Sequence, residues 1–261
     1  PVSQALSAPI QNANLMVMTR GATGASAIYL AHSGNTVQSV SLGAMDATGT
    51  VPVNGDITFR SAVAYDLRGG GIATLGTLSA NAGALQFTNG AAMNVNVLTL
   101  GGATSLTTST GNLNLASATV AGNGNNLTLS GAGGNTVGAL GSIGTLSVNG
   151  AASLAGNINT SGGQTYTGPV TLANSVTLAD SASAAINFGS TVDASSAGAQ
   201  GVTVNTAGAT TFTGAVGGTT ALAHVVTDAP GTFSAGGIST IGLQNLQGSA
   251  INLGGNYSTS N

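Results

Sequence analysis

Apolar and polar residues alternate one for one along this chain, in segments only three or four residues long, and Gly or Asn marks nearly every junction between them. Asn94-Val95-Asn96-Val97, Asn112-Leu113-Asn114-Leu115, Asn126-Leu127-Thr128-Leu129, Thr145-Leu146-Ser147-Val148, Val202-Thr203-Val204 and Ile251-Asn252-Leu253 all follow the pattern. A period of two turns one set of side chains inward and the other toward water, whereas a helix needs a period of 3.6, and no stretch supplies one. The chain is therefore expected to be all-β, with slender Leu, Val and Ile columns inside and Thr, Ser and Asn outside. Glycines at Gly101-Gly102, Gly111, Gly122, Gly124, Gly133-Gly134, Gly162-Gly163 and Gly217-Gly218 fall where tight corners are needed.

Internal repetition separates a sandwich from a solenoid. Gly156, Ile158, Thr160, Gly162, Gln164 and Gly168 recur 80 residues later, in the same spacing, as Gly236, Ile238, Thr240, Gly242, Gln244 and Gly248. Gly76-Thr77-Leu78-Ser79 with Asn81 echoes Gly144-Thr145-Leu146-Ser147 with Asn149. An imperfect repeat of about 70 to 80 residues fits a unit that covers several turns of a coil of about 20 residues each. In a parallel β-solenoid equivalent residues of successive coils stack at about 4.8 Å. Neutral Asn and Thr tolerate such stacking and like charges do not, which explains why charged residues make up only 3% of the chain.

Low charge also fits a membrane protein or a disordered one, and the pattern speaks against both. A spanning helix needs about 20 consecutive apolar residues, and Gly, Ser, Thr or Asn interrupts every apolar run. A membrane barrel is expected to show aromatic girdles, yet aromatics are 3% and Trp is absent. Disorder pairs low hydrophobicity with high net charge, whereas this chain is 42% hydrophobic with a formal charge of −3. Only three cations exist, Arg20, Arg60 and Arg68, so phosphate neutralisation has no source beyond residue 68 and nucleic acid is not an expected partner. The chain has no Cys, so its fold is expected to be held without disulfides. Pro1 opens it without a basic, apolar leader, and a secretory leader is expected to be already removed or to lie outside these residues.

Gly163-Gln164-Thr165-Tyr166-Thr167-Gly168-Pro169-Val170-Thr171-Leu172, then Asn187-Phe188-Gly189-Ser190-Thr191-Val192-Asp193, resembles a repeat of filamentous-haemagglutinin-like and autotransporter-like bacterial exoproteins. The stretch from Val202 to Leu222 continues the same consensus, and the resemblance is good over about residues 137 to 250. It implies a single-chain right-handed parallel β-helix, export to the bacterial surface or beyond, and a role in adhesion, aggregation or matrix building. It brings no catalytic residues. The amino-terminal two-partner secretion module of that family is not found in this sequence.

Residues 1–70 differ from the rest: they hold all three arginines and the continuous apolar runs Leu15-Met16-Val17-Met18 and Ala27-Ile28-Tyr29-Leu30-Ala31. They are expected to form a cap on the solenoid of residues 71–261, shielding its open edge. The sharper reading is a subunit-joining segment, in which Leu15, Met16, Val17 and Met18 add a strand to a neighbouring molecule. Asp56, Arg60, Asp66 and Arg68 form the one charge cluster and are expected to make salt bridges that pin the cap, each worth about 0 to 1 kcal/mol.

No catalytic, cofactor or metal site is expected. Asp180, Asp193 and Asp228 lie far apart and outside any calcium-binding nonapeptide. His32 and His224 stand 192 residues apart with no Cys or Glu to complete a zinc set. The serines lack a nucleophile elbow, and the glycine-rich stretches lack the Lys of a phosphate loop. The function expected from these readings is that of a secreted, non-enzymatic structural protein of the bacterial surface. As an adhesin or fibre subunit it would associate with itself, and its partners would include cell-surface glycans or neighbouring cells. The alternatives are an ice-binding or glycan-binding solenoid, a polysaccharide-cleaving β-helix and a functional amyloid. Thr107-Thr108, Thr110, Thr211 and Thr213 suggest the first but keep no fixed coil period.

Overall fold

The computed structural model describes residues 2–3, 10–20, 28–30, 36–45, 48, 57–61, 73–75, 78–80, 85–89, 92–95, 97–108, 110–228 and 231–260. The chain is an all-β parallel solenoid, with no helix among the described residues. It divides into two compact units, Pro1–Gly134 and Asn135–Asn261.

In the second unit the backbone winds around three faces. Face 1 is a 6-stranded sheet of Leu140–Ile143, Ile158–Thr160, Val176–Asp180, Val202–Asn205, Val225–Thr227 and Gln244–Asn245. Face 2 stacks Leu146–Asn149, Gln164–Tyr166, Ile186–Phe188, Thr210–Phe212, Thr232–Ala235 and Ala250–Leu253. Face 3 runs from Asn135–Val137 through Ala152–Leu154, Val170–Leu172 and Val192–Ala194, then by single bridges at Val216 to Ile238–Thr240 and Tyr257–Thr259. Consecutive strands belong to different faces, so neighbours within a sheet are one coil apart and every pairing is parallel. Coil length varies: 18 residues separate Leu140 from its partner Ile158, and 26 separate Val176 from Val202. The extra residues leave at corners, such as 195–201 and 217–224, without disturbing the strands.

The alternation read from the sequence is the alternation of burial. Leu146, Val148, Ile158, Val170, Leu172, Leu178, Ile186, Val192, Val202 and Val204 are at most 1% exposed, while the residues between them face outward. Each such side chain contributes about 1.5 to 3 kcal/mol of burial. Face 2 adds an aromatic stack that the sequence reading did not contain. Tyr166 lies on Phe188 with ring centroids 5.0 Å apart, and Phe188 on Phe212 at 4.6 Å. The stack stops there for a reason of register: the next strand places Ala235 beside Phe212 and Phe233 beside Thr210. Phe233 therefore meets Phe212 edge-on from the neighbouring column, at 6.1 Å.

The first unit is built likewise. One sheet orders Val2–Ser3, Ile28–Leu30, Ile57–Ser61, Leu85–Asn89, Thr104–Thr108 and Leu127–Gly131. A 5-stranded sheet orders Thr119–Ala121, Val97–Thr99, Leu78–Ala80, Thr36–Met45 and Gln11–Arg20, and a third orders Leu113–Leu115, Met93–Val95 and Ala73–Leu75. Leu98, Leu100, Leu106, Leu113, Leu127 and Leu129 are fully buried. Asn114 donates its amide to Asn94 in the next coil at 2.8 Å, the neutral ladder that stacking favours.

The 80-residue echo has a structural meaning other than a whole number of coils. Ile158–Thr160 lies on face 1 and leads to Gln164 on face 2, whereas Ile238–Thr240 lies on face 3 and leads to Gln244 on face 1. The echo is thus displaced by one face. What it repeats is a corner.

Candidate functional site

That corner is the most chemically organised place in the second unit. Gln164, 1% exposed, turns its side chain back across the bend. Its Nε2 donates to the Ala179 carbonyl at 2.9 Å and approaches Thr160 Oγ1 and the Ile158 carbonyl at 3.4 Å each. Its Oε1 accepts from the Tyr166 hydroxyl at 2.8 Å. The echoed corner repeats the bonds: Gln244 Nε2 reaches the Ser258 carbonyl at 2.7 Å, Thr240 Oγ1 at 3.2 Å and the Ile238 carbonyl at 3.4 Å. Thr and Gln four residues apart let one amide reach back across the bend to a carbonyl of the adjoining coil, and the echo keeps both residues and this bond.

Asp180 completes the first corner. One carboxylate oxygen accepts from Thr160 Oγ1 at 2.9 Å and the Gly163 N–H at 2.8 Å, the other from the N–H groups of Ala182 at 3.0 Å and Ala184 at 2.7 Å. Asp180 is 7% exposed. Burial pushes its pKa up, but the N–H groups of Ala184 and Gly163, the Thr160 hydroxyl and the Ala182 N–H outweigh burial and hold it below the ordinary carboxylate value. Burial alone drives the Tyr166 hydroxyl far above its ordinary value, so it stays a neutral donor.

The other two aspartates of this unit are spent in the same way. Asp193 accepts from the N–H groups of Thr219 and Thr220 at 2.9 and 3.0 Å, and Asp228 from the Thr206 N–H at 2.9 Å. Each carboxylate binds backbone of an adjoining coil or loop. A glycan-cleaving pair needs one carboxyl with a raised pKa to act as acid and a second across the scissile bond. Asp180 has the opposite shift and faces four donors. Among the described residues no three His, Cys, Asp or Glu side chains come together as a metal set. His224 is half-buried against Gly201, where a Cβ would collide with its ring.

The outward column of face 2 is neutral. Thr165, Asn187, Thr211, Ser234 and Asn252 follow one another up the outward column of face 2. A trough of about 550 Å³ crosses its last three coils, lined by Thr211, Thr213, Ser234, Asn252, Gly236 and Gly254. Its walls carry the hydroxyl and amide groups of Thr211, Thr213, Ser234 and Asn252 beside the apolar side chains of Ile251 and Leu253, and no ionisable side chain.

The expected joining segment Leu15–Met18 lies within the strand Gln11–Arg20, which pairs along its length with Thr36–Met45 of the same chain. Arg60 lies in Ile57–Ser61, with Thr88 as its partner in the next strand. Asp56, Asp66 and Arg68, the other members of the expected salt bridges, and His32 lie outside the described residues. No helix of the described residues is long and apolar enough to cross a membrane. Compared with protein-family models, with curated proteins and with solved structures, the chain gives no match.

Proposed function

We propose that this protein is a structural component of the bacterial exterior, an adhesin or a subunit of an extracellular fibre or matrix, that works through its solenoid surface and associates with itself. The observation that carries this reading is the use of the carboxylates. In the second unit Asp180, Asp193 and Asp228 all bind backbone N–H groups, so its described carboxylates are spent on holding coils together. What remains for the outside is neutral hydroxyl and amide, a surface suited to contact rather than to turnover. An exported location is part of the same proposal and is tested with it.

The test is made on the bacterium that produces the protein. Antibodies against the folded chain are expected to label intact cells or the material between them, and a deletion strain is expected to lose cell-to-cell or surface attachment. Labelling confined to the cell interior would overturn the proposal. A second reading, a glycan-binding solenoid, is favoured by the neutral trough at Thr211, Ser234 and Asn252. Saturable binding of neutral oligosaccharides, lost when Asn252 and Thr211 become Ala, would establish it in addition to the structural role.

A further inference from the structure

We infer that Thr160 and Gln164 react with each other in the folded chain, joining Thr160 Oγ1 to the side-chain carbonyl carbon of Gln164 as an ester and releasing ammonia. The corner between face 1 and face 2 is thereby closed covalently, in a chain that has no cysteine to do so. The inference does not depend on where the protein resides or on what its surface binds.

The groups that such a reaction needs meet inside one corner. Thr160 is the nucleophile, and its hydroxyl donates to Asp180 Oδ2 at 2.9 Å. Gln164 is the electrophile. Its Nε2 lies 3.4 Å from the same hydroxyl oxygen, so its carbonyl carbon stands within about one bond length of the roughly 3 to 3.5 Å from which an attack proceeds. The terminal torsion of a glutamine is broad, and a modest turn presents the face of that carbon to Thr160. Tyr166 donates its hydroxyl to Gln164 Oε1 at 2.8 Å, the oxygen on which negative charge develops when the carbonyl is attacked. Thr160, Gln164 and Tyr166 are at most 2% exposed and Asp180 is 7% exposed. Burial keeps water away and shields the ester, once formed, from hydrolysis.

The step balances without a co-reactant. As the bond from Thr160 Oγ1 to the Gln164 carbon forms, Asp180 accepts the hydroxyl proton and Tyr166 holds the oxyanion. The carboxyl then passes that proton to Nε2, the carbon–nitrogen bond breaks, and the nitrogen leaves as ammonia. The carboxylate is regenerated, and nothing is oxidised or reduced. The N–H groups of Gly163, Ala182 and Ala184 keep Asp180 ionised at neutral pH and ready to accept. It is a weak base, but the reaction occurs once per molecule and needs no turnover.

The echoed corner is an internal control. Gln244 Nε2 is 3.2 Å from Thr240 Oγ1, so nucleophile and amide are at least as close there. Thr240, however, donates its hydroxyl to the Gly242 carbonyl at 2.7 Å instead of to a carboxylate. The position that corresponds to Tyr166 is Leu246, which has no hydroxyl to polarise an amide. This corner is expected to keep its ammonia.

Mass spectrometry of the whole chain, held folded at neutral pH and then digested with chymotrypsin, tests the inference. Cuts after Leu154 and Tyr166 release residues 155–166 as one peptide. That peptide is expected to be lighter than its sequence by one ammonia, about 17 Da, to yield no backbone fragments between Thr160 and Gln164, and to open in hydroxylamine. Thr160→Ser is expected to retain the loss, while Asp180→Asn slows it by about a hundredfold and Tyr166→Phe by about tenfold or more. The inference is overturned if residues 155–166 of the unmodified chain keep their full mass, if Asp180→Asn loses ammonia there as fast, or if the Thr240–Gln244 corner loses it to the same extent. The first of these is read on the unmodified chain, so a variant that fails to fold cannot hide it.

Discussion

Replacing Asp180 by Asn preserves size and shape and removes only the charge and one acceptor, so it measures what the carboxylate does at its corner. Two oxygens now accept from four donors, Thr160 Oγ1 and Gly163 N–H on one and Ala182 N–H and Ala184 N–H on the other. In the variant the amide oxygen is best aimed at Ala182 and Ala184. Its NH₂ then faces Thr160, whose hydroxyl can rotate to accept, and Gly163, whose N–H is left without a partner. One unsatisfied buried N–H costs about 1 to 3 kcal/mol, and turning two charge-assisted bonds into neutral ones costs about 1 kcal/mol each. The Gly163 bond is buried, but the bonds to Ala182 and Ala184 are partly exposed and solvent roughly halves their share, so the sum is about 2 to 4 kcal/mol. A stacked solenoid unfolds in parts, so a local probe is preferable to a single denaturation midpoint. Amide hydrogen exchange at Gly163 is expected to accelerate by about one to three powers of ten at neutral pH. The sign of the pH dependence is fixed by the lowered pKa. The carboxylate's contribution is fully present above the ordinary aspartate value near 3.8 and is lost as pH falls through the lower folded value. The gap between the native chain and the variant must therefore close at acid pH. A gap of the same size at pH 7 and well below the folded pKa would refute the electrostatic explanation and assign the effect to packing.

Phe188→Ala leaves a hole between Tyr166 and Phe212 and is expected to destabilise by about 3 to 5 kcal/mol, more than Phe233→Ala, whose ring meets a single neighbour edge-on; chemical denaturation followed by circular dichroism compares the two. Gln164→Leu is expected to weaken exchange protection more than Gln244→Leu, because Gln164 is fully buried and also accepts from Tyr166, while Gln244 is half-buried. Gly168→Ala drives a Cβ into the backbone of Gly150 and is expected to cost about 1 to 3 kcal/mol. Gly141→Ala meets open space and is expected to leave the melting temperature unchanged or slightly raised.

The strands were legible because their physical cause is local. Thr145-Leu146-Ser147-Val148 states by itself which side chains face in, and the strand Leu146–Asn149 buries Leu146 and Val148. The glycine corners were legible for the same reason. The aromatic stack was not, because Tyr166, Phe188 and Phe212 belong to coils of different length and keep no constant spacing. The echo of Ile158, Thr160 and Gln164 was visible, but its meaning was hidden. Sequence spacing reports that a motif returns, and only the register reveals that it returns on another face. Asp180 read as an isolated carboxylate because three of its four donors are backbone N–H groups, which every residue type but proline provides.

The parallel stacking of coils in register is tested most directly by engineered disulfides, since the chain has no cysteine of its own. Thr165 and Asn187 are outward-facing partners on adjacent rungs of face 2, and Thr211 follows on the next rung. Adjacent rungs bring Cα atoms to about 4.8 Å, within disulfide range, while two rungs lie about 10 Å apart, beyond it. Under mild oxidation Thr165→Cys/Asn187→Cys is expected to close within one molecule with its circular dichroism unchanged, and Thr165→Cys/Thr211→Cys to remain as free thiols. Closure of the second pair, with the first left open, would contradict the stacking.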